Sequence, residues 1–154
     1  MSEIRLEIHK GKRELRLYED DILKNTFSVA LGFAPDGDKE VEGDGKTPEG
    51  RFYIFTKNPE SKFHLSLGIS YPSIDDVERG LSNELISQDE ADAIKSAIIE
   101  KQMPLQKTKL GGEIYIHGGG KERDWTEGCI ALKNNEIEEL FKLVPVGTVV
   151  EILP

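Results

Sequence analysis

Polar and apolar residues alternate from the start of this chain, with Ile4, Leu6 and Ile8 on one face and charged residues between them. A period of two buries one face of a β-strand. A short polar turn follows at 10–14, and Leu15 and Leu17 resume the alternation, so the two segments predict a hairpin. His9 falls on the opposite face and is expected to be solvated. Phe27, Val29 and Leu31 mark a third strand. Residues 32–50, GFAPDGDKEVEGDGKTPEG, are rich in Gly, Pro and Asp and predict a long loop of the kind that often carries function. RFYIF (51–55) and KFHLSLGISYP (62–72) predict two more strands.

The period changes from Ser73 to about Met103. Ser87 with Glu90 forms a capping box ahead of a helix carrying Ala91, Ile94, Ala97 and Ile98 on one face, and Pro104 is expected to stop it. Such a helical insert in a β-rich chain either covers a site or simply packs on the core, the commoner role. EIYIHG is a short strand ending at His117, and CIAL is another beginning at Cys129. Asn134 or Asn135 is expected to cap the helix EIEELFKLV, and TVVEIL closes the chain as a strand. With no repeat, linker or low-complexity segment, residues 1–154 read as a single mainly β domain with two or three helices.

Composition narrows the function. The 154 residues carry a net charge of −9. An acidic surface repels nucleic acid and anionic lipid, and its simplest role is solubility. No stretch is apolar enough for a signal peptide or a membrane span, so either the protein stays in the cytoplasm or an export signal was removed before this numbering begins. One cysteine excludes an internal disulfide and a multi-cysteine zinc site, and His9, His64 and His117 are scattered. No metal and no cofactor are expected, and the chain is expected to be a monomer. GDGKTPEG resembles the end of a phosphate-binding loop, but Glu40 stands where its first glycine belongs and Pro48 follows the Lys-Thr pair.

The chemistry concentrates in IHGGGKERDWTEGCIAL (116–132). Taken alone, a free cysteine is more often a small buried hydrophobe, and a histidine at a strand end is more often a satisfied structural group. Here Cys129 follows Gly128 at a loop-to-strand junction, where backbone N–H groups can face an oxyanion. His117 precedes three glycines, which permit close approach of another backbone. Together they are the parts of a thiol nucleophile and its base.

IHG followed by DWTEGCIAL resembles the signature of the L,D-transpeptidase (YkuD-type) catalytic domain, and the likeness extends to Gly45, Thr47, Pro48 and Gly50, to the opening strand pair and to GTVVEIL. SKFHLSLGISYP and DWTEGCIAL look most like the YafK-like branch. The resemblance implies a β-sandwich or barrel-like fold with a helical insert, and a cysteine acyl-transferase acting on peptidoglycan stem tetrapeptides through a thioester. Cys129 would be the nucleophile, His117 the base, and the Gly118 carbonyl the group that orients the imidazole. The N–H groups of Gly128 and Cys129 would serve the oxyanion and Thr126 would hydrogen-bond near the thiol. His64 and Tyr71 would line the donor pocket, each with a core or anchoring role as the alternative. Trp125 would stack on substrate or pack under the loop. The family implies the cell envelope. With water as acceptor the same chemistry gives an L,D-carboxypeptidase or endopeptidase, for which a cytoplasmic role in wall recycling is the alternative. A silent wall-binding module is a third reading, against which the intact His117–Cys129 pair speaks. The sequence departs from many members at Glu127, where a histidine is common, and at Ala131, where Arg or Asn is common. Glu127 is expected to point away from the thiol, since its charge would oppose a thiolate. A sortase ranks low, because that family needs an arginine after the cysteine and none follows Cys129, and chain order argues against papain-like enzymes, which place Cys before His.

Overall fold

The computed structural model describes residues 3–154. Eight strands form one curled sheet: β1 (Ile4–His9), β2 (Glu14–Glu19), β3 (Ile22–Ser28), β4 (Gly50–Ser61), β5 (His64–Ile69), β6 (Tyr115–His117), β7 (Ile130–Ala131) and β8 (Val149–Leu153). Their spatial order is β3-β2-β1-β8-β4-β5-β6-β7. The β1–β8 and β6–β7 pairs are parallel and the other neighbours antiparallel. The helices are α1 (Ile74–Ser82), α2 (Gln88–Ile99) and α3 (Asn134–Leu143). The fold is mainly β and barrel-like, as the alternation and the family resemblance predict.

The curl is closed by a segment expected to be strand. Phe27 lies in β3, but Val29 to Leu31 run beyond it. Ala30 and Ala131 exchange backbone hydrogen bonds at 2.9 Å in both directions, joining this extension to β7 at the opposite end of the sheet. Gly32 then bridges to Thr126. The closure encloses the main apolar core, with Leu6, Ile8, Leu15, Leu17, Ile54, Leu67, Ile116 and Ile152 all essentially inaccessible.

Several local expectations are corrected. β4 runs far beyond RFYIF, to Ser61. His9 is half-buried and bonds the Glu7 carboxylate at 3.0 Å instead of standing free in solvent. The α2 capping box of Ser87 and Glu90 is present, but the helix ends at Ile99, before Pro104, where Lys101 turns the chain with φ 59°. A second helix, α1, carries its own box from Ser73 and Asp76. Lys133 is the N-cap residue of α3, because the Asn134 side chain is turned to the Gly119 N–H at 2.9 Å. β7 begins at Ile130, one residue after Cys129.

α1 and α2 share a small core of their own: Val77, Ile86, Ala91, Ile94 and Leu110. Leu110 ties this core to the segment leading into β6. No helix is long and apolar enough to cross a membrane among the described residues.

Three backbones meet where the sheet closes. A Cβ at Gly32 would stand 2.1 Å from the Gly45 carbonyl oxygen and 3.1 Å from Gly128 Cα. Gly32→Ala is therefore expected to destabilise the protein by about 1–3 kcal/mol through overpacking. Gly11→Ala, whose Cβ would meet only ordinary contacts from 3.7 Å, should change little. Urea unfolding midpoints check this, and equal midpoints for the two variants would contradict it.

Candidate active site

β6 delivers His117 and the turn before β7 delivers Cys129 to the same cavity of about 840 Å³. His117 is buried, 3 % exposed, and its Nδ1 lies 2.6 Å from the Gly118 carbonyl oxygen. A carbonyl only accepts, so Nδ1 carries the hydrogen and Nε2 keeps its lone pair. Burial lowers the His117 pKa below the ordinary imidazole value, a shift the Gly118 bond partly opposes. The ring is thus neutral at pH 7 and suited to accept a proton. Phe63 stacks on it with centroids 4.6 Å apart, and Trp125 meets both rings edge-on. Trp125 is fixed by its Nε1–H to the Gly120 carbonyl at 2.9 Å.

The turn at Cys129 is set by Thr126. The buried Thr126 hydroxyl donates to the Cys129 carbonyl at 2.7 Å and accepts the Gly128 N–H at 3.1 Å. Gly128 sits at φ 141°, and a Cβ there would meet the Lys46 carbonyl at 2.8 Å. The Gly128 N–H, expected to face an oxyanion, is therefore already engaged. The Cys129 N–H has no hydrogen-bond partner among the described residues. Asp124 holds the other end of the loop, accepting from Arg13 Nη2 at 2.8 Å and from the Leu31 N–H at 2.9 Å.

The cysteine sulfur is not hydrogen-bonded to the imidazole. Sγ donates to the Glu113 carbonyl at 3.3 Å and accepts from the Tyr115 N–H at 3.4 Å. Glu113 reaches this position with φ 56°, in the left-handed region, a cost that directs its carbonyl at the thiol. Burial pushes the thiol up to about 11, and Glu113 and Glu127 add to the rise while the Tyr115 N–H and Lys39 oppose it. Glu127 thus acts on the thiol and lines its cavity, contrary to the expectation that it points away.

The chain has counterparts among known proteins. The family model of the L,D-transpeptidase catalytic domain (YkuD) matches residues 3–152. The chain belongs to this family. YqjB of Bacillus subtilis strain 168, provisionally named an L,D-transpeptidase, is 25% identical over 146 residues, covering 92% of this chain and 66% of that protein. The helical cell shape determining protein Pgp2 of Campylobacter jejuni superposes with a TM-score of 0.67 at 26% identity, over 98% of this chain and 47% of Pgp2. An L,D-transpeptidase of Mycobacterium smegmatis shares the fold, with a TM-score of 0.60 at 11% identity, over 99% of this chain and 59% of that one. The chain thus spans just under two thirds of YqjB and about half of Pgp2.

Two residues expected in the donor pocket of this L,D-transpeptidase domain lie outside the cavity. Tyr71 is fully buried, and its hydroxyl donates to the Leu110 carbonyl at 2.6 Å. It buttresses the Gly111–Ile114 wall from behind, the anchoring alternative. His64 opens β5 on the outer surface, where Nε2 lies 2.9 Å from Glu138 of α3. Phe63, one residue earlier, is the one that reaches the imidazole. No residue of 73–103 lines the cavity, so the helical insert packs and does not cover. Phe63, Tyr115, Glu113 and Lys39 were missed as site residues. Only Phe63 and Tyr115 carried a signal, as aromatics beside strand ends facing the glycines. Among the described residues no group of three or more His, Cys, Asp or Glu side chains is placed to hold a metal ion.

The two pKa directions are testable. The thiol should ionise near 11, so the thiolate absorbance should rise only well above the free-cysteine pKa of about 8.5. His117 should titrate below 6.5 by NMR. Because its folded pKa is depressed, the stability tied to its neutral form is present above 6.5 and falls as pH drops through the folded value. A thiol midpoint below 8 would contradict the arrangement.

Proposed function

We propose that the chain is a cysteine acyl-transferase that acts on peptidoglycan stem tetrapeptides, in keeping with its family. The observation that carries this reading is the 2.6 Å bond from His117 to the Gly118 carbonyl, which leaves Nε2 free to take a proton in the cavity that also holds Cys129.

The reaction starts from a neutral pair, since burial disfavours both the thiolate and the imidazolium. Catalytic hydrogen bonds are often loose in a free enzyme and tighten with substrate. Rotation of Cys129 about its Cα–Cβ bond exchanges the Glu113 carbonyl for Nε2. As Sγ attacks the carbonyl carbon of the third stem residue, its proton passes to Nε2. The negative oxygen forms beside the unengaged Cys129 N–H. The amide C–N bond breaks, His117 returns the proton to the departing D-alanine nitrogen, and a thioester remains. An amine then attacks the thioester to give a cross-link, with His117 again relaying the proton.

Several features support the positioning role of the surroundings. Phe63 and Trp125 hold the ring in place and exclude water from two sides. Thr126 and the Lys46–Thr47 backbone fix the turn that aims the Cys129 N–H; the Thr47 hydroxyl itself accepts the Gly32 N–H at 3.0 Å. A β-lactam such as imipenem, being a strained acyl donor, should acylate the same sulfur.

Purified disaccharide-tetrapeptide, with and without an amine acceptor, tests the proposal. Cross-linked dimers and free D-alanine are expected, and Cys129→Ala or His117→Ala should lower the rate at least about 10³-fold. Tripeptide alone would assign the hydrolytic carboxypeptidase reaction instead of transfer. Undiminished turnover by Cys129→Ala would end the acyl-transfer reading.

A further inference from the structure

The long loop 32–50 places one cation in the wall of the active-site cavity. Lys39 is only 3 % exposed, and a buried ammonium is costly unless its hydrogens are matched. It has three hydrogens to donate. One goes to the Val41 carbonyl at 3.1 Å and one to Asp44 Oδ1 at 3.0 Å. The Asp44 carboxylate is otherwise committed to the N–H groups of Glu40, Val41 and Lys46. Among the described residues the third ammonium hydrogen of Lys39 has no partner, although the residue borders the same cavity as Cys129.

The placement is rigid. Arg79 of α1 donates to the Lys39 carbonyl at 2.7 Å, to Asp38 at 3.0 Å and to Asp76 at 2.9 Å. The Lys39 alkyl chain runs past Gly111, where a Cβ would stand 3.1 Å from Cε. Gly111 has φ 90°, so a side chain there is disfavoured twice. Glu113 and Glu127 line the cavity near the thiol and would repel an anion from their flank.

We propose that Lys39 is a specificity-determining residue that receives a carboxylate of the donor peptide and so sets the direction in which the peptide lies across Cys129. The ligand chemistry is a carboxylate with the spare ammonium hydrogen as its anchor. This rests on the acyl-transfer reading above for the identity of the donor. It also gives the helical insert a role, because Arg79 positions Lys39 from behind.

Binding to the Cys129→Ala protein measures this without turnover. The probes are a stem tetrapeptide whose third residue bears a side-chain carboxylate, its C-terminal amide, and the same peptide amidated on that side chain. One of the two amides should bind at least about tenfold more weakly, the value of one charge-assisted hydrogen bond, and which one identifies the carboxylate. Adding Lys39→Met should bring the acid down to the level of that amide, whereas Lys39→Arg should keep the preference. Equal binding of all three peptides, or a preference that survives Lys39→Met, would overturn the proposal. Should Lys39→Met fail to fold, Lys39→Gln takes its place in the same comparison, and equal binding of the acid and both amides by the Cys129→Ala protein overturns the proposal without either variant. Discrimination between acid and amide without any turnover by the native protein would count against the acyl-transfer reading and leave the role of Lys39 standing.

Discussion

The hydrogen bond from His117 to the carbonyl of the very next residue sets the state of the imidazole, and the proposed chemistry depends on it. It fixes the tautomer, and with it the nitrogen that can take a proton. No side-chain acid supplies it. A backbone carbonyl adds no full charge, so the buried imidazole stays neutral and its pKa falls. In the proposed acyl transfer the result is a base that waits for a proton instead of one that already holds it. The high pKa of the thiol matches this, since nothing nearby would stabilise a standing thiolate enough to offset burial.

The curled sheet brings the His117 imidazole and the Cys129 thiol to one cavity. β6 and β7 lie side by side and parallel, which sets His117 opposite Ala131 and leaves Cys129 just short of the strand. The Ala30–Ala131 bridge closes the far edge onto β7. The Gly-Lys-Thr-Pro loop packs beneath the Cys129 turn; glycines at 32 and 128 make room for backbone where a Cβ would not fit, and Gly45 makes room for the Phe33 ring. Those glycines and Thr47 shape the turn through packing and hydrogen bonding, without touching His117 Nε2 or Cys129 Sγ.

Much of this was legible in the residues. The alternation of Ile4, Leu6 and Ile8 and of Leu15 and Leu17 gave the first hairpin, because one face of each strand is buried and the other is not. Ser87 with Glu90 marked a helix start, since the capping box is a local structure that needs no tertiary partner. The Gly118 carbonyl lies 2.6 Å from His117 Nδ1. Other features depend on distant contacts and left no periodic trace. Phe63 was hidden beside His64, because a turn at the end of the β4–β5 hairpin decides which neighbour faces the imidazole. Tyr71 shares its strand's apolar character with any pocket residue, and only its bond to Leu110 shows that it works from behind. The Gly128 N–H was lost to Thr126, a competition between two acceptors that spacing alone does not reveal. Lys39 carries no signal of its own in a polar loop, because only the folded turn around Asp44 buries it.

Trapping the covalent intermediate tests the central claim most directly. The protein is mixed with disaccharide-tetrapeptide, quenched in acid within the first turnover and measured by intact mass and peptide mapping. The account predicts an adduct of the donor lacking its D-alanine, on Cys129, with free D-alanine released in equal amount and no adduct on Cys129→Ala. Release of D-alanine at full rate with no adduct at any time, and undiminished in Cys129→Ala, would contradict it.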